Sequence, residues 1–131
     1  MNKINVMVAD DNPIIRAGLN RFINAELEIK VIGEATCAEQ AYRLFNELNP
    51  NVLLIGCLYT RGMSSLEALR RILMRHPTAK VIVYTLHDDL AFAGYSLSCG
   101  ARGYITGLSD ANEIIKAIRT VVTGKIYISS N

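Results

Sequence analysis

The sequence predicts an α/β fold in which helices cover both faces of a parallel sheet. Five short apolar runs alternate with five segments that have helical spacing of apolar residues. The run at residues 51–56 is apolar at nearly every position, as expected for a strand that is covered on both faces. Short connections between strands and helices leave right-handed crossovers as the simplest topology. The 131 residues suit one domain.

Residue types at the ends of these segments predict where the elements begin. The predicted strands are the β-rich runs at residues 4–9, 29–35, 51–56, 80–85 and 101–106. Asn12 followed by Pro13 predicts the N-cap and first residue of the first helix. Three further helices are predicted by the capping boxes Thr36/Glu39, Ser64/Glu67 and Asp110/Glu113. Residues 88–98 form a weaker predicted helix because Gly94 lowers helix propensity.

Composition excludes several classes of protein. The net charge of +2 and the scattered basic residues do not indicate a nucleic-acid-binding stripe, and the basic run at residues 69–77 reads as a solvated helix face. The three cysteines, at positions 37, 57 and 99, lack the CxxC spacing typical of zinc sites. No apolar run reaches the roughly 18 residues of a membrane span. We therefore expect a cytoplasmic protein that makes no membrane contact.

Six segments, in order and with matching spacing, carry a family resemblance. They read VMVADDNPIIRAGLNRFI, VIGEATCAEQAYRLFNELNPNVLLIG, SSLEALRRI, VIVYTLHDD, CGARGYIT and IIKAIRTVVTGKIYIS. From about residue 3 to 128, the chain resembles the receiver domains of bacterial two-component response regulators, most closely the NarL/FixJ type. The resemblance implies a doubly wound, five-stranded, CheY-like sheet with strand order 2-1-3-4-5. It also implies a signalling module that is not an enzyme.

Four residues match positions with known roles in that family. The resemblance implies that Asp10 and Asp11, after the first strand, correspond to the acidic pair that holds Mg²⁺. It likewise implies that Thr85 corresponds to the hydroxyl that binds phosphoryl oxygens, and Tyr104 to the aromatic residue that reports the signalling state. Asp10, Asp11 and Thr85 lie at the carboxyl ends of predicted strands, where ligands bind in such sheets, and Tyr104 lies on the fifth strand.

Two other positions depart from the family pattern. Gly56 stands where the resembled receivers carry the phosphoacceptor Asp, and Gly107 stands where they carry a Lys. Glycine offers no nucleophile, and loss of the Lys removes a positive charge beside the developing phosphate. The loop at residues 57–65 also replaces the usual Met-Pro-Gly-type turn. Cys57 in this loop is predicted to be a small apolar residue rather than a redox sensor.

The sequence leaves three functional hypotheses open. The first is an atypical, phosphorylation-independent receiver that acts through protein contacts. The second is a sensor that binds an anionic metabolite in the vacated pocket, using backbone N–H groups near Gly56 and Gly107. The third is phosphorylation of Asp10 or Asp11 instead of the missing acceptor. We expect either no cofactor or weak Mg²⁺ binding at this acidic pair. The pair alone supplies few of the oxygen ligands that Mg²⁺ needs.

The expected partner is another protein or a second copy of the chain. Residues 88–122 are the predicted contact region, with Phe92 and Tyr95 as exposed apolar candidates. We assign residues 1–122 to the receiver-like domain and residues 123–131 to a tail or linker. In the resembled regulators this tail leads to a helix-turn-helix domain. These 131 residues contain no recognition helix that we identify, so DNA binding is expected only through a domain outside them.

Overall fold

The computed structural model describes residues 3–58, 62–86, 90–108 and 110–129. Its strands are β1 (Ile4–Ala9), β2 (Ile29–Ala35), β3 (Val52–Gly56), β4 (Val81–Thr85), β5 (Gly103–Thr106) and β6 (Tyr127–Ile128). Its helices are α1 (Pro13–Asn24), α2 (Ala38–Leu48), α3 (Ser65–Arg75), α4 (Leu90–Ser98) and α5 (Ala111–Val122). The strands form one parallel sheet in the order β2-β1-β3-β4-β5-β6.

This architecture confirms the predicted α/β fold and the order of the first five strands. The one addition is β6, a two-residue strand from the segment predicted as an extended tail. It extends the sheet because the N–H groups of Tyr127 and Ser129 donate to the carbonyl oxygens of Arg102 and Tyr104, both at 2.9 Å. The predicted start of the fourth helix, at residue 88, lies outside the described residues.

Alternating side chains of the sheet build two hydrophobic cores, one on each face. On one face Val8, Leu54 and Ile82 pack with buried residues of α1 and α5, including Ile23 and Ile118. On the other face the neighbouring strand residues pack with α2, α3 and α4; these strand residues include Met7, Ala9, Leu53, Ile55, Val81 and Val83. Burial on both faces explains why the central strands are apolar throughout.

Three of the four predicted helix starts carry their capping bonds, and one prediction is wrong. Asn12 caps α1, Ser64 caps α3 and Asp110 caps α5 through side-chain oxygens that accept from backbone N–H groups. Helix α2 instead begins after Cys37, which makes no capping bond. The Thr36 N–H and hydroxyl both donate to the Gln40 side-chain oxygen, at 2.7 and 3.1 Å, so Gln40 takes the role predicted for residue 39.

Among the helices that the structure describes, none combines the length and the apolar character needed to cross a membrane.

Candidate functional site

The candidate site lies at the carboxyl ends of β1, β3 and β4, which are neighbours in the sheet. Parallel strands end at the same edge, so the predicted residues Asp10, Gly56 and Thr85 meet there. In the strand register Gly56 lies directly beside Tyr84. The residue facing the predicted phosphoacceptor position is therefore a tyrosine on the neighbouring strand.

Tyr84 occupies the space into which a side chain at position 56 would project. A Cβ atom built on Gly56 would lie 2.9 Å from Asp10 Oδ2 and 3.0 Å from both Cζ and Oη of Tyr84. Distances this short require neighbouring groups to move, and Tyr84 is only 1% exposed. An aspartate at position 56 would therefore compete with the Tyr84 phenol for the same volume.

The Tyr84 phenol is bound to the acidic pair through Asp10. Its hydroxyl donates to Asp10 Oδ2, and the backbone N–H of Asn12 donates to Asp10 Oδ1 at 2.8 Å. Asp10 is 5% exposed, and both of its carboxylate oxygens accept a hydrogen bond from the protein. Burial raises the pKa of the Tyr84 phenol well above its ordinary value, and the hydrogen bond and negative charge of Asp10 raise it further. The phenol is therefore neutral at physiological pH and serves as a hydrogen-bond donor.

Ser65 fixes the backbone where β3 leaves the sheet. Its hydroxyl donates to the carbonyl oxygen of Gly56 at 2.6 Å and accepts from the N–H of Leu58 at 2.8 Å. Ser65 is buried, so these bonds satisfy polar backbone groups that water does not reach. Residues 59–61 of the atypical loop lie outside the described residues, but both flanks of the loop are joined through Ser65.

Gly107, at the predicted Lys position, adopts a backbone conformation that favours glycine. Its φ is +82°, and its N–H donates to the carbonyl oxygen of Thr85 at 2.6 Å. This N–H is therefore already bonded within the protein, contrary to the expectation that it could hold an anion. Thr85, the predicted switch hydroxyl, lies beside Thr106 in the register of β4 and β5 and is 8% exposed.

Tyr104, the predicted state-reporting aromatic residue, is buried in the core between the sheet and α4. It is 2% exposed, and its ring lies 6.2 Å from that of Phe92, at an interplanar angle of 60°. Phe92 is partly buried in this contact, so the prediction that it is an exposed surface residue is wrong. Tyr95, one helical turn further along α4, is 65% exposed and keeps that prediction open.

A cavity of about 420 Å³ opens at this edge of the sheet. Its apolar lining consists of Ile15, Leu58, Leu86 and Phe92. Its remaining lining consists of Asp10, Asp11, Asn12, Cys57, Tyr84 and Thr85. Cys57 is a partly exposed free thiol in this wall. None of the described residues that line the cavity carries a positive charge.

The oxygen donors at the site do not fit a Mg²⁺ ion. Mg²⁺ requires near-octahedral oxygen coordination, with one or two protein carboxylates beside waters and substrate oxygens. Both oxygens of Asp10 already accept protein hydrogen bonds, Gly56 supplies no carboxylate, and only Asp11 is exposed. In the described parts of the chain, no three or more His, Cys, Asp or Glu residues cluster as metal ligands would.

Sequence reasoning did not select Tyr84 or Ser65 as site residues. Tyrosine is common in strands and serine is common at helix starts, so neither residue type indicates a special role. The signal that could have found Tyr84 is its position in the register of β3 and β4, directly opposite Gly56.

The chain belongs to the response regulator receiver domain family. The family pattern matches residues 6–119, which cover most of the chain and include the carboxyl ends of β1, β3 and β4 at the site. This match confirms the resemblance on which the fold and the positions of the site were predicted.

Relatives and solved structures agree with this membership. The chain is 33% identical over 127 residues to the transcriptional regulatory protein DegU of Brevibacillus brevis, covering 97% of the chain and 53% of DegU. It is 37% identical over 127 residues to the response regulator GacA of Pseudomonas aeruginosa, covering 96% of the chain and 58% of GacA. The chain thus spans little more than half the length of these relatives.

Among solved structures, a LuxR-family two-component response regulator from Aurantimonas sp. SI85-9A1 superposes with a TM-score of 0.91 at 33% identity. That superposition covers 98% of the chain and 91% of the solved one. The receiver domain of the response regulator NarL from Mycobacterium tuberculosis gives a TM-score of 0.89 at 27% identity, with 95% and 100% coverage.

Proposed function

We propose that this chain is an atypical receiver domain that signals without phosphorylation of its own strand end. The observation that carries the proposal is the pairing of Gly56 with Tyr84. The position of the phosphoacceptor holds no side chain, and the phenol of Tyr84 fills the space and binds Asp10. A phosphoryl group would find no nucleophile at position 56, and Tyr84 occupies the space that an acceptor side chain there would need.

The surroundings of the strand ends support the same proposal. Gly107 supplies no ammonium group that could stabilise phosphoryl oxygens, and Asp10 is engaged by two protein donors. Phosphoryl transfer in receivers depends on aligning a nucleophile, a metal ion and a cation. At this site the nucleophile and the cation are missing, and the carboxylate of Asp10, which would hold the metal ion, is occupied.

The alternative acceptors, Asp10 and Asp11, have less support. Asp10 is buried beneath the Tyr84 hydroxyl, so attack on a phosphoryl donor would require loss of that hydrogen bond. Asp11 is exposed and chemically able to react, but no described cation lines the cavity beside it. Neither carboxylate therefore has an environment that would orient and neutralise an incoming phosphoryl group.

Mass spectrometry of the intact protein tests this function directly. The protein is incubated with acetyl phosphate and Mg²⁺, beside a receiver domain that carries Asp at the position of Gly56. We expect phosphoryl mass on the control receiver and none on this protein. An added phosphoryl group would overturn the proposal, and the variants Asp10→Asn and Asp11→Asn would then identify the acceptor.

We further propose that the output is a protein contact through α4, in a regulator of transcription. Helix α4 contains no charged residue, yet Tyr95 and Gly94 are exposed on it. Charge depletion with an exposed aromatic residue is typical of interface cores. DegU, one of the relatives, is a transcriptional regulatory protein. A DNA-binding domain outside these 131 residues would supply the contact with DNA.

A second copy of the chain is the proposed partner, and light scattering tests this assignment. At high concentration we expect a mass of about twice 14.5 kDa, and a shift toward the monomer in Tyr95→Ser. Met74→Ser is the matched control because Met74 is 84% exposed on α3, away from α4. A mass near 14.5 kDa for the unmodified protein would refute the dimer, and an unaffected dimer in Tyr95→Ser would refute α4 as its interface.

A further inference from the structure

We propose that the cavity at the strand ends binds a small organic cation with an apolar body, such as an aromatic amine. This inference rests on the proposed function, since it assigns a ligand to the site in place of the phosphoryl group. The cavity volume of about 420 Å³ lies in the range of small-molecule pockets, roughly 300 to 1,000 Å³. Its lining combines two carboxylates with four apolar side chains.

The charges around the cavity favour a cation over an anion. Asp10 and Asp11 line it, and no described lining residue is positive. Arg16 contacts the backbone of the site, and its guanidinium is already engaged by protein acceptors. Its Nη1 donates to the backbone carbonyl of Asp10 at 2.8 Å, and its Nε donates to Glu34 at 3.3 Å. The exposed carboxylate of Asp11 therefore faces the cavity without a counter-charge from the described lining, and it attracts an ammonium group.

Three backbone donors near the cavity are already used within the protein. The N–H of Asn12 donates to Asp10, and the N–H of Ile14 donates to the Asn12 side chain, both at 2.8 Å. On the other side of the cavity, the N–H of Leu58 donates to Ser65 at 2.8 Å. Anion sites in proteins are usually built from free N–H groups of this kind. None of these three N–H groups is free, so they give no support for an anionic ligand.

The walls of the cavity specify the rest of the ligand. Ile15, Leu58 and Leu86 offer aliphatic surface, and Phe92 offers an aromatic ring. Burying apolar surface against these side chains supplies the favourable free energy that an exposed ion pair alone does not give. An aromatic ring beside the ammonium group adds a cation–π contact. The ligand class is therefore an amine with a hydrocarbon or aromatic body, and not a bare metal ion.

Phe92 connects the cavity to the proposed output surface. It lines the cavity from α4, and its ring packs against Tyr104 of β5. A ligand that contacts Phe92 can shift α4 only if the protein binds it with different affinities when α4 is in two different positions. The cavity thus offers a route by which a small molecule would regulate the face that carries Tyr95.

Titrations followed by NMR, with three probes of matched shape, test the inference. The probes are 2-phenylethylamine, 2-phenylethanol and 3-phenylpropionate, which are cationic, neutral and anionic at pH 7. We expect the amine to shift the amide resonances of Asp11, Cys57 and Phe92, with a dissociation constant at least about ten-fold below those of the other probes. Asp11→Asn should weaken amine binding by roughly three-fold or more, and added salt should weaken it further.

Glu47→Gln is the matched control variant, because it removes the same charge from an exposed position on α2 outside the cavity lining. It should leave the affinity for the amine unchanged. Equal affinity for the three probes, shifts confined to residues that do not line the cavity, or no binding up to about 10 mM would each overturn the inference. The phosphoryl assay tests the proposed function separately. If the protein binds no amine and takes up no phosphoryl group, only the proposed ligand is refuted. If it takes up a phosphoryl group, the proposed function itself is refuted.

Discussion

Adding a single methyl group at position 56 tests the contact between Gly56 and Tyr84. With Tyr84 in place, Gly56→Ala would put the new Cβ 2.9 Å from Asp10 Oδ2 and 3.0 Å from the Tyr84 phenol. The strand is central and the phenol is buried, so the clash cannot be relieved by moving a side chain into solvent. We expect Gly56→Ala to lower the free energy of unfolding by about 1–3 kcal/mol, as overpacking of a core usually does.

Gly56→Ala should no longer lower the free energy of unfolding once Tyr84 is shortened. Tyr84→Val alone removes a buried ring and should cost about 2–4 kcal/mol through lost burial and the cavity left behind. In that background the contacts with the phenol are gone, and the Asp10 carboxylate is no longer held by the Tyr84 hydroxyl and can move away from the new Cβ at position 56. The Cβ then fills part of the cavity, and alanine replaces a flexible glycine in a strand. Gly56→Ala should then be neutral or stabilise by up to about 1 kcal/mol. The expected coupling between the two positions is therefore about 1–4 kcal/mol.

Urea unfolding of the four proteins in this double-mutant cycle measures the coupling. Gly18→Ala is the control, because Gly18 lies in α1 and a Cβ atom there would meet nothing within 4 Å. It should stabilise the protein by roughly 0.5–1 kcal/mol in both backgrounds. Additive effects of Gly56→Ala and Tyr84→Val, within about 0.5 kcal/mol, would refute the argument that Tyr84 fills the space of the missing side chain.

Three further predictions follow from the same contacts. Ser65→Ala should lower the free energy of unfolding in urea by about 2–4 kcal/mol, because two buried backbone groups lose their partner. Ser64→Ala, which loses only a helix cap, should lower it by about 1 kcal/mol. A larger effect of Ser64→Ala than of Ser65→Ala would contradict the assignment of these bonds to Ser65. The raised pKa of Tyr84 means that its stabilising effect is complete below the unfolded-state pKa of about 10 and is lost as pH rises through the folded-state pKa. Alkaline unfolding followed by circular dichroism should therefore be less steep in Tyr84→Phe, and identical pH profiles would count against a neutral buried phenol. The double variant Gly56→Asp with Tyr84→Val should bind Mg²⁺ more tightly than the unmodified protein, as measured by calorimetry. Gly56→Asp alone should gain much less affinity, because the phenol still engages Asp10. Equal gains in the two variants would show that Tyr84 does not prevent Mg²⁺ binding.

The fold could be predicted because its signals are local and repeated. Strand boundaries followed from apolar runs, and three helix starts followed from side chains that bond to the next turn, as at Asn12 and Ser64. The prediction failed at Thr36, where two acceptors compete within one turn. Glu39 fitted the capping-box pattern, but Gln40 reaches the same backbone N–H. A spacing rule does not decide between two side chains that are both able to make the bond.

The site was only partly predictable, because its central contact joins two strands. The sequence indicated that position 56 lacked a carboxylate, since this could be counted along one strand. It did not indicate what fills the space, because Tyr84 is an ordinary strand residue until the register with β3 is known. Gly107 shows the same limit: its left-handed backbone and its bond to the Thr85 carbonyl oxygen depend on how β5 leaves the sheet.

The contacts of Tyr84 also indicate that position 56 on β3 and position 84 on β4 act as one unit. Glycine at position 56 without a large neighbour would leave a void beside a buried carboxylate, which costs free energy through lost packing and poor solvation. Tyr84 fills that volume with its ring and satisfies Asp10 with its hydroxyl. Conversely, aspartate at position 56 beside Tyr84 would crowd the phenol and put a second carboxylate next to Asp10. Each of the two residues is therefore well accommodated only in the presence of the other, and restoring the family's acceptor chemistry would require changing both.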